Sequence, residues 1–172
     1  MKIGFIGTGN MGGPMAANVL AAGNELYVHD ASRQATASLE ESGAHWCDAL
    51  SDVTEIAEVI FLSLPGPVEV EAVAGQLLNT MSSGQTLVDM STNSPSVVQS
   101  IYAVASEKGI AFLDAPVSGG VRGARKGTLA IMVGGDRDQF DLLEPVFQTM
   151  GANIFYIGDV GAGNVAKLAN NM

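Results

Sequence analysis

Several kinds of chemistry find almost no material in this sequence. There is a single cysteine, Cys47, so no intrachain disulfide can form, and the two histidines make no Cys/His cluster at metal-ligand spacing. A reducing compartment and a metal-free site are therefore expected. Basic residues are few, 8 against 18 acidic ones, and the resulting net charge of -10 works against nucleic acid or an anionic membrane as partner. Both of those need Lys and Arg to neutralise phosphate. No apolar run reaches the roughly 18 residues of a membrane span. Lys2, the apolar run after it, and Ala21 and Ala22 give the outline of a signal peptide. Glycines and Pro14 interrupt that run, however, and cleavage would remove the first strand of the fold, so a cytoplasmic protein is expected. Charged residues make up only 15% of the chain against 47% hydrophobic, which at 172 residues gives one good core and leaves no room for disorder.

Glycine, by contrast, is plentiful, and its placement organises the chain. Ile3, Phe5 and Ile6 predict a short buried strand, Gly7, Gly9 and Gly12 form G-x-G-x-x-G, and Met11 to Ala22 predicts an apolar helix stopped by Gly23. In such a turn the first glycine bends the chain, the second leaves room for a pyrophosphate and the third lets helix approach strand. The helix dipole then favours negative charge at the helix start. A second strand, Leu26 to His29, ends at Asp30, at the distance a dinucleotide fingerprint requires. A carboxylate there accepts hydrogen bonds from ribose hydroxyls and repels a 2′-phosphate, which favours NAD; Asp30 is equally placed to cap a helix beginning near Arg33. Arg33 could itself pair with a 2′-phosphate, which keeps NADP open.

Strand and helix signals alternate from there on, predicting a mostly parallel, doubly wound α/β sheet with helices on both faces. Val59 to Leu64 is a continuous apolar run, the mark of a strand buried on both faces, and it stops at Pro65-Gly66-Pro67. Leu64 and Pro65 are thus expected beside a ligand crevice, or in a rigid turn, or both. Thr92 and Asn93 follow the strand Thr86 to Met90, and Ser94-Pro95 is a helix start. The stretch D-A-P-V-S-G-G-V-R-G-A-R-K-G-T-L, Asp114 to Leu129, reads as a glycine-rich hairpin loop. Ser118, Gly119 and Gly120 could offer a hydroxyl and open N–H groups to a carboxylate, while Arg122, Arg125 and Lys126 could steer an anion or simply be a solvated tip. Finally, G-A-G-N-V-A-K-L-A-N-N-M opens a helix on which Lys167 and Asn171, four apart, share a face. Lys167 could handle a proton or be an ordinary exposed lysine. The helical pattern is still running at Met172, so the chain is expected to be part of a longer protein.

Together the three glycine-rich stretches resemble the signatures of the β-hydroxyacid dehydrogenase family, which includes 3-hydroxyisobutyrate dehydrogenases and tartronate semialdehyde reductases. G-F-I-G-T-G-N-M-G-G-P-M-A-A-N is similar to its cofactor signature, D-A-P-V-S-G-G to its substrate signature and G-x-G-x-x-x-K-x-x-N-N to its catalytic one. The resemblance implies a Rossmann-type dinucleotide-binding domain over residues 1–160, and in residues 161–172 the start of an interdomain helix. That helix would lead to an all-helical domain, absent from this chain, that closes the cleft and mediates dimerisation. It further implies NAD, with NADP possible, held by Gly7, Gly9, Asn10, Met11, Gly12, Asp30, Arg33, Leu64, Pro65 and Thr92. A small hydroxy-carboxylate such as 3-hydroxyisobutyrate would be held by Ser118, Gly119, Gly120 and Asn171, with Lys167 as general acid/base. The full-length protein would be a homo-oligomer, and the 172-residue piece alone inactive or weakly active. The other readings are a non-catalytic dinucleotide-binding module and an imine reductase on the same scaffold, though such reductases usually replace the lysine.

Overall fold

Successive side chains of a strand reach opposite sides of a sheet, and here both sides are apolar. In β1 (Lys2–Ile6), Ile3 and Phe5 enter one core and Ile6 the other; in β4 (Val59–Leu62), Val59 and Phe61 join the first, Ile60 and Leu62 the second. The computed structural model describes residues 1–172. Four further strands, β2 (Glu25–His29), β3 (His45–Trp46), β5 (Thr86–Asp89) and β6 (Ala111–Asp114), complete a parallel block ordered β3-β2-β1-β4-β5-β6. The first core is closed by α1 (Gly12–Ala21) and α7 (Arg137–Met150), the second by α3 (Leu50–Ile56), α4 (Pro67–Thr80) and α5 (Pro95–Glu107). This is the doubly wound Rossmann arrangement that the alternating pattern predicts. At the start of α5 the Ser94 Oγ accepts the Val97 N–H at 3.4 Å with Pro95 in the first turn, so the capping pair acts as a cap. No helix is long and apolar enough to cross a membrane.

Beyond β6 the sheet reverses. The strand β8 (Leu129–Gly135) runs antiparallel to β6, and β9 (Gly151–Gly158) pairs parallel with β8 on its other edge. Two expectations need correction. The helix expected to begin near Arg33 is not one helix but a 3₁₀ turn, Arg33–Thr36, followed by the short α2 (Ala37–Glu41). The stretch after Pro116 is not a bare hairpin loop: β7 (Val117–Ser118) pairs antiparallel with β8, and between them stands α6 (Gly120–Lys126), which carries Arg122, Arg125 and Lys126. Packing against α1 overrides the poor helix propensity of its glycines, and the Asn18 amide of α1 donates to the Ala124 carbonyl at 2.8 Å. The last helix, α8 (Ala162–Asn170), lies against β6, β8 and β9.

Candidate active site

The chain leaves β1 toward one face through α1 and leaves β4 toward the other through α4, and the diverging loops open a crevice between them. This cleft has a volume of about 810 Å³ and is lined by Gly7, Gly9, Asn10, Met11 and Gly12 together with Asp30, Leu64 and Pro65. The three glycines do different things. Gly7 has φ +87°, and a Cβ there would lie 2.1 Å from the Ser63 carbonyl; a Cβ on Gly12 would lie 1.9 Å from the Gly7 carbonyl. Gly9 has ordinary backbone angles, and a Cβ there would meet nothing within 4 Å. The fold therefore requires Gly7 and Gly12, whereas the space over Gly9 serves nothing inside the chain. No side chain caps α1 either; the Gly13 N–H donates to the Gly9 carbonyl at 2.9 Å and Pro14 has none, which leaves the Gly12 N–H at the helix start for an anion. Together these features fit a dinucleotide pyrophosphate.

Asp30 ties the end of β2 to the glycine turn. Its Oδ2 accepts the Thr8 N–H at 2.8 Å and the Thr8 hydroxyl at 3.3 Å, and its Oδ1 accepts the Ser32 N–H at 2.8 Å. Arg33 is not in the cleft lining. Its Nη2 lies 3.3 Å from Glu40 Oε2 and its guanidinium sits 5.4 Å from the centre of the Trp46 ring. The Thr36 hydroxyl and then Arg33 draw the Glu40 carboxyl below its ordinary value. Trp46 in turn stacks on His29, a residue of the cleft wall. Thr92 is exposed and also outside the lining, but its neighbour Ser91 is buried, and the Ser91 Oγ accepts the Leu64 N–H at 2.9 Å.

The other two motifs meet at Met132 of β8. The Met132 N–H donates to the Pro116 carbonyl at 3.1 Å, and its own carbonyl lies 2.4 Å from where a Cβ on Gly163 would be. Ser118 is half-buried in β7, and Gly119 and Gly120 follow with φ of +133° and +63°. Lys167 is half-buried on α8 without an ion-pair partner, and Asn171 is exposed just past the helix end. None of these five lines the cleft of the glycine turn. Of the basic residues on α6, Arg125 reaches a smaller hollow of about 360 Å³ on the outer side of that turn, beside Thr8, Gly9 and Asn10.

Sequence reasoning placed Asn93 after a strand and Asp114 and Asn164 within motifs, but assigned no partners to them or to Asp89, and all four are buried. Asp114 Oδ1 accepts the Gly161 N–H at 2.7 Å, while its Oδ2 accepts the Asn164 N–H at 2.8 Å and the Asn164 amide at 3.2 Å. It thus holds the first turn of α8. Burial pushes the carboxyls of Asp89 and Asp114 above their ordinary value, and hydrogen bonds to the anion oppose this without overcoming it. The available signal was a carboxylate closing a strand apolar on both faces, a place where it must find N–H partners inside the protein.

With this geometry in hand, residues 2–158 match the family model described as the NAD binding domain of 6-phosphogluconate dehydrogenase. The chain is 46% identical over 173 residues to 3-hydroxyisobutyrate dehydrogenase of Pseudomonas aeruginosa and 43% identical over 175 residues to 2-(hydroxymethyl)glutarate dehydrogenase of Eubacterium barkeri. It is covered to 99% and 100% in these alignments but spans 58% of the length of each relative. Among solved structures it superposes on Mycobacterium tuberculosis 3-hydroxyisobutyrate dehydrogenase with L-serine at a TM-score of 0.95 and 35% identity, covering 99% of this chain and 58% of that one. An imine reductase from a Pseudomonas species, at 20% identity and a TM-score of 0.89, shares the fold.

Proposed function

The chain belongs to the family of the NAD binding domain of 6-phosphogluconate dehydrogenase, the dinucleotide-binding part of β-hydroxyacid dehydrogenases, and from that premise we propose that its full-length protein interconverts a small 3-hydroxy acid and its semialdehyde. The observation that carries the reading is the open space over Gly9 beside an uncapped helix start, in a chain that also bears Lys167 on the helix pinned by Asp114. When bound, the nicotinamide dinucleotide supplies a hydride acceptor for oxidation or a donor for reduction. Gly7, Gly9, Asn10, Met11 and Gly12 hold the phosphates, Leu64 and Pro65 bound the other wall, and Asp30 accepts from the ribose hydroxyls. With Asp30 in the cleft lining and Arg33 engaged by Glu40 and Trp46, NAD is favoured over NADP. Ser118 and the N–H groups of Gly119 and Gly120 hold the substrate carboxylate, and Asn171 orients the hydroxyl. In oxidation the neutral Lys167 amine takes the hydroxyl proton, and in reduction the ammonium returns it to the carbonyl oxygen.

The same reading has the protein act in the cytoplasm as a homo-oligomer. Its only cysteine is buried and unpaired, and Phe155, Ile157, Val165 and Leu168 leave an apolar surface on β9 and α8. A helical domain beyond α8 would close the cleft, so the present 172 residues alone are expected to bind dinucleotide and turn over poorly. The test is full-length protein assayed with 3-hydroxyisobutyrate, 2-(hydroxymethyl)glutarate and L-serine, with NAD and NADP side by side. Lys167→Ala is expected to remove turnover while leaving the NADH dissociation constant within about twofold. Equal loss of both would refute the proton-transfer role, and NADH binding without turnover of any acid would favour the non-catalytic module.

A further inference from the structure

Asp89, Asn93, Asp114 and Asn164, each at most 2% exposed, belong to one hydrogen-bonded run that starts at the cleft wall and ends under α8. The Leu64 N–H donates to Ser91 Oγ at 2.9 Å, and the Ser91 N–H donates to Asp89 Oδ1 at 2.9 Å. Asn93 then bridges: its amide donates to Asp89 Oδ2 at 3.0 Å, and its backbone N–H donates to Asn164 Oδ1 at 2.8 Å. Asn164 passes the run to Asp114 through its backbone and its amide. No buried side-chain nitrogen or oxygen lacks a partner, so the run is fully satisfied, and a satisfied network in a low-dielectric interior favours one arrangement over its neighbours. There is no slack beneath it, because a Cβ on Gly163 would lie 2.4 Å from the Met132 carbonyl and 2.6 Å from the Asp114 carbonyl.

Asp114 alone suffices to cap α8. The bond from Asn93 to Asn164 does something a cap does not need, since it joins the helix to the loop that also holds Leu64 against the cleft. Lys167 follows Asn164 by three residues and so projects from nearly the same side of the helix. We infer that Asn164 is a positioning residue, fixing the reach of Lys167 toward the dinucleotide cleft by locking the first turn of α8 to the loop after β5. The inference rests on Lys167 being the acid/base group.

The experiment uses full-length protein, 3-hydroxyisobutyrate with NAD for turnover, and NADH for binding. Asn164→Ala removes the acceptor for Asn93 but leaves the backbone bonds to Asp114. It is expected to lower kcat about 10- to 100-fold, to shift the pH profile of kcat, and to leave the NADH dissociation constant within about twofold. Asn164→Asp keeps the acceptor for Asn93 but points a second oxygen at Asp114, with Asp89 the other carboxyl on this run. A proton shared with Asp114 restores the bond, so this variant is expected to gain activity as pH falls, a limb absent from the parent. An unchanged kcat and pH profile in Asn164→Ala, with Lys167→Ala inactive, overturns the positioning role and leaves the proposed function standing. Equal loss of kcat and NADH affinity overturns it too, as the mark of general destabilisation. An active Lys167→Ala overturns both. Should Asn164→Ala not fold, the pH profile of Asn164→Asp decides, and a profile matching the parent overturns the inference.

Discussion

Gly9 and Gly12 share one motif but answer to different masters, and substitution separates them. An alanine Cβ at position 12 would lie 1.9 Å from a backbone carbonyl that cannot move without displacing the turn. Gly12→Ala is therefore expected to cost about 3 kcal/mol of stability in a urea melt. At position 9 the added methyl meets no atom of the protein and the backbone is ordinary, so Gly9→Ala should change stability by less than about 1 kcal/mol in either direction. The methyl would occupy the space assigned to the pyrophosphate, and NADH titration should show affinity weakened about tenfold or more. An unchanged NADH affinity in Gly9→Ala would leave that glycine without a function. Arg33 makes the converse point. From sequence it is a free cation near a candidate ribose site; in the structure Glu40 and Trp46 engage it, and neither partner is adjacent to it in the chain.

Among the elements, those with a strong local signal were legible. The apolar run Val59 to Leu64 gave a strand, which ends at Leu62, and Gly23 and the Ser94-Pro95 pair marked a helix end and a helix start, because a strand buried on both faces and a capped helix each carry their cause in adjacent residues. The element that was not legible, α6, has its cause elsewhere in the chain. Four glycines between 119 and 127 look like a turn, and the helix exists because α1 packs against it, with the Asn18 amide on the Ala124 carbonyl, while Leu129 of β8 comes within 3.1 Å of where a Cβ on Gly123 would be. The site divides in the same way. The glycine turn, Asp30, Leu64 and Pro65 were readable as a motif, whereas the run from Ser91 to Asp114 depends on contacts up to 71 residues apart. If α1 is what sustains α6, Asn18→Ala should cost about 1 kcal/mol globally and raise amide exchange chiefly over residues 120–126. Protection of α6 that survives the substitution would mean its packing alone holds it.

At the scale of the whole molecule, two carboxyls deep in the polar run and a net charge of -10 both act on stability as pH changes, and they can be separated. Asp89 and Asp114 are raised by burial, so the folded form binds more protons than the unfolded chain. Their contribution is fully present below the ordinary carboxylate value and is lost as pH rises through the folded values, by at most about 1.4 kcal/mol per pH unit for each group. Glu25 and Glu40 are lowered and act in the opposite sense, but Glu25 is exposed and Glu40 only half-buried at the surface, where such interactions count for little. Repulsion among the surface acids also grows as pH rises, yet salt screens it and hardly touches a buried group. Urea melts from pH 4 upward should therefore show stability declining with pH, with a part of the slope that persists in high salt. Asp89, as fully buried as Asp114 but with fewer donors, should carry much of that part, so Asp89→Asn is expected to offset the curve and flatten it. A slope in Asp89→Asn equal to that of the parent at every salt concentration would clear Asp89 and assign any part that persists in high salt to Asp114.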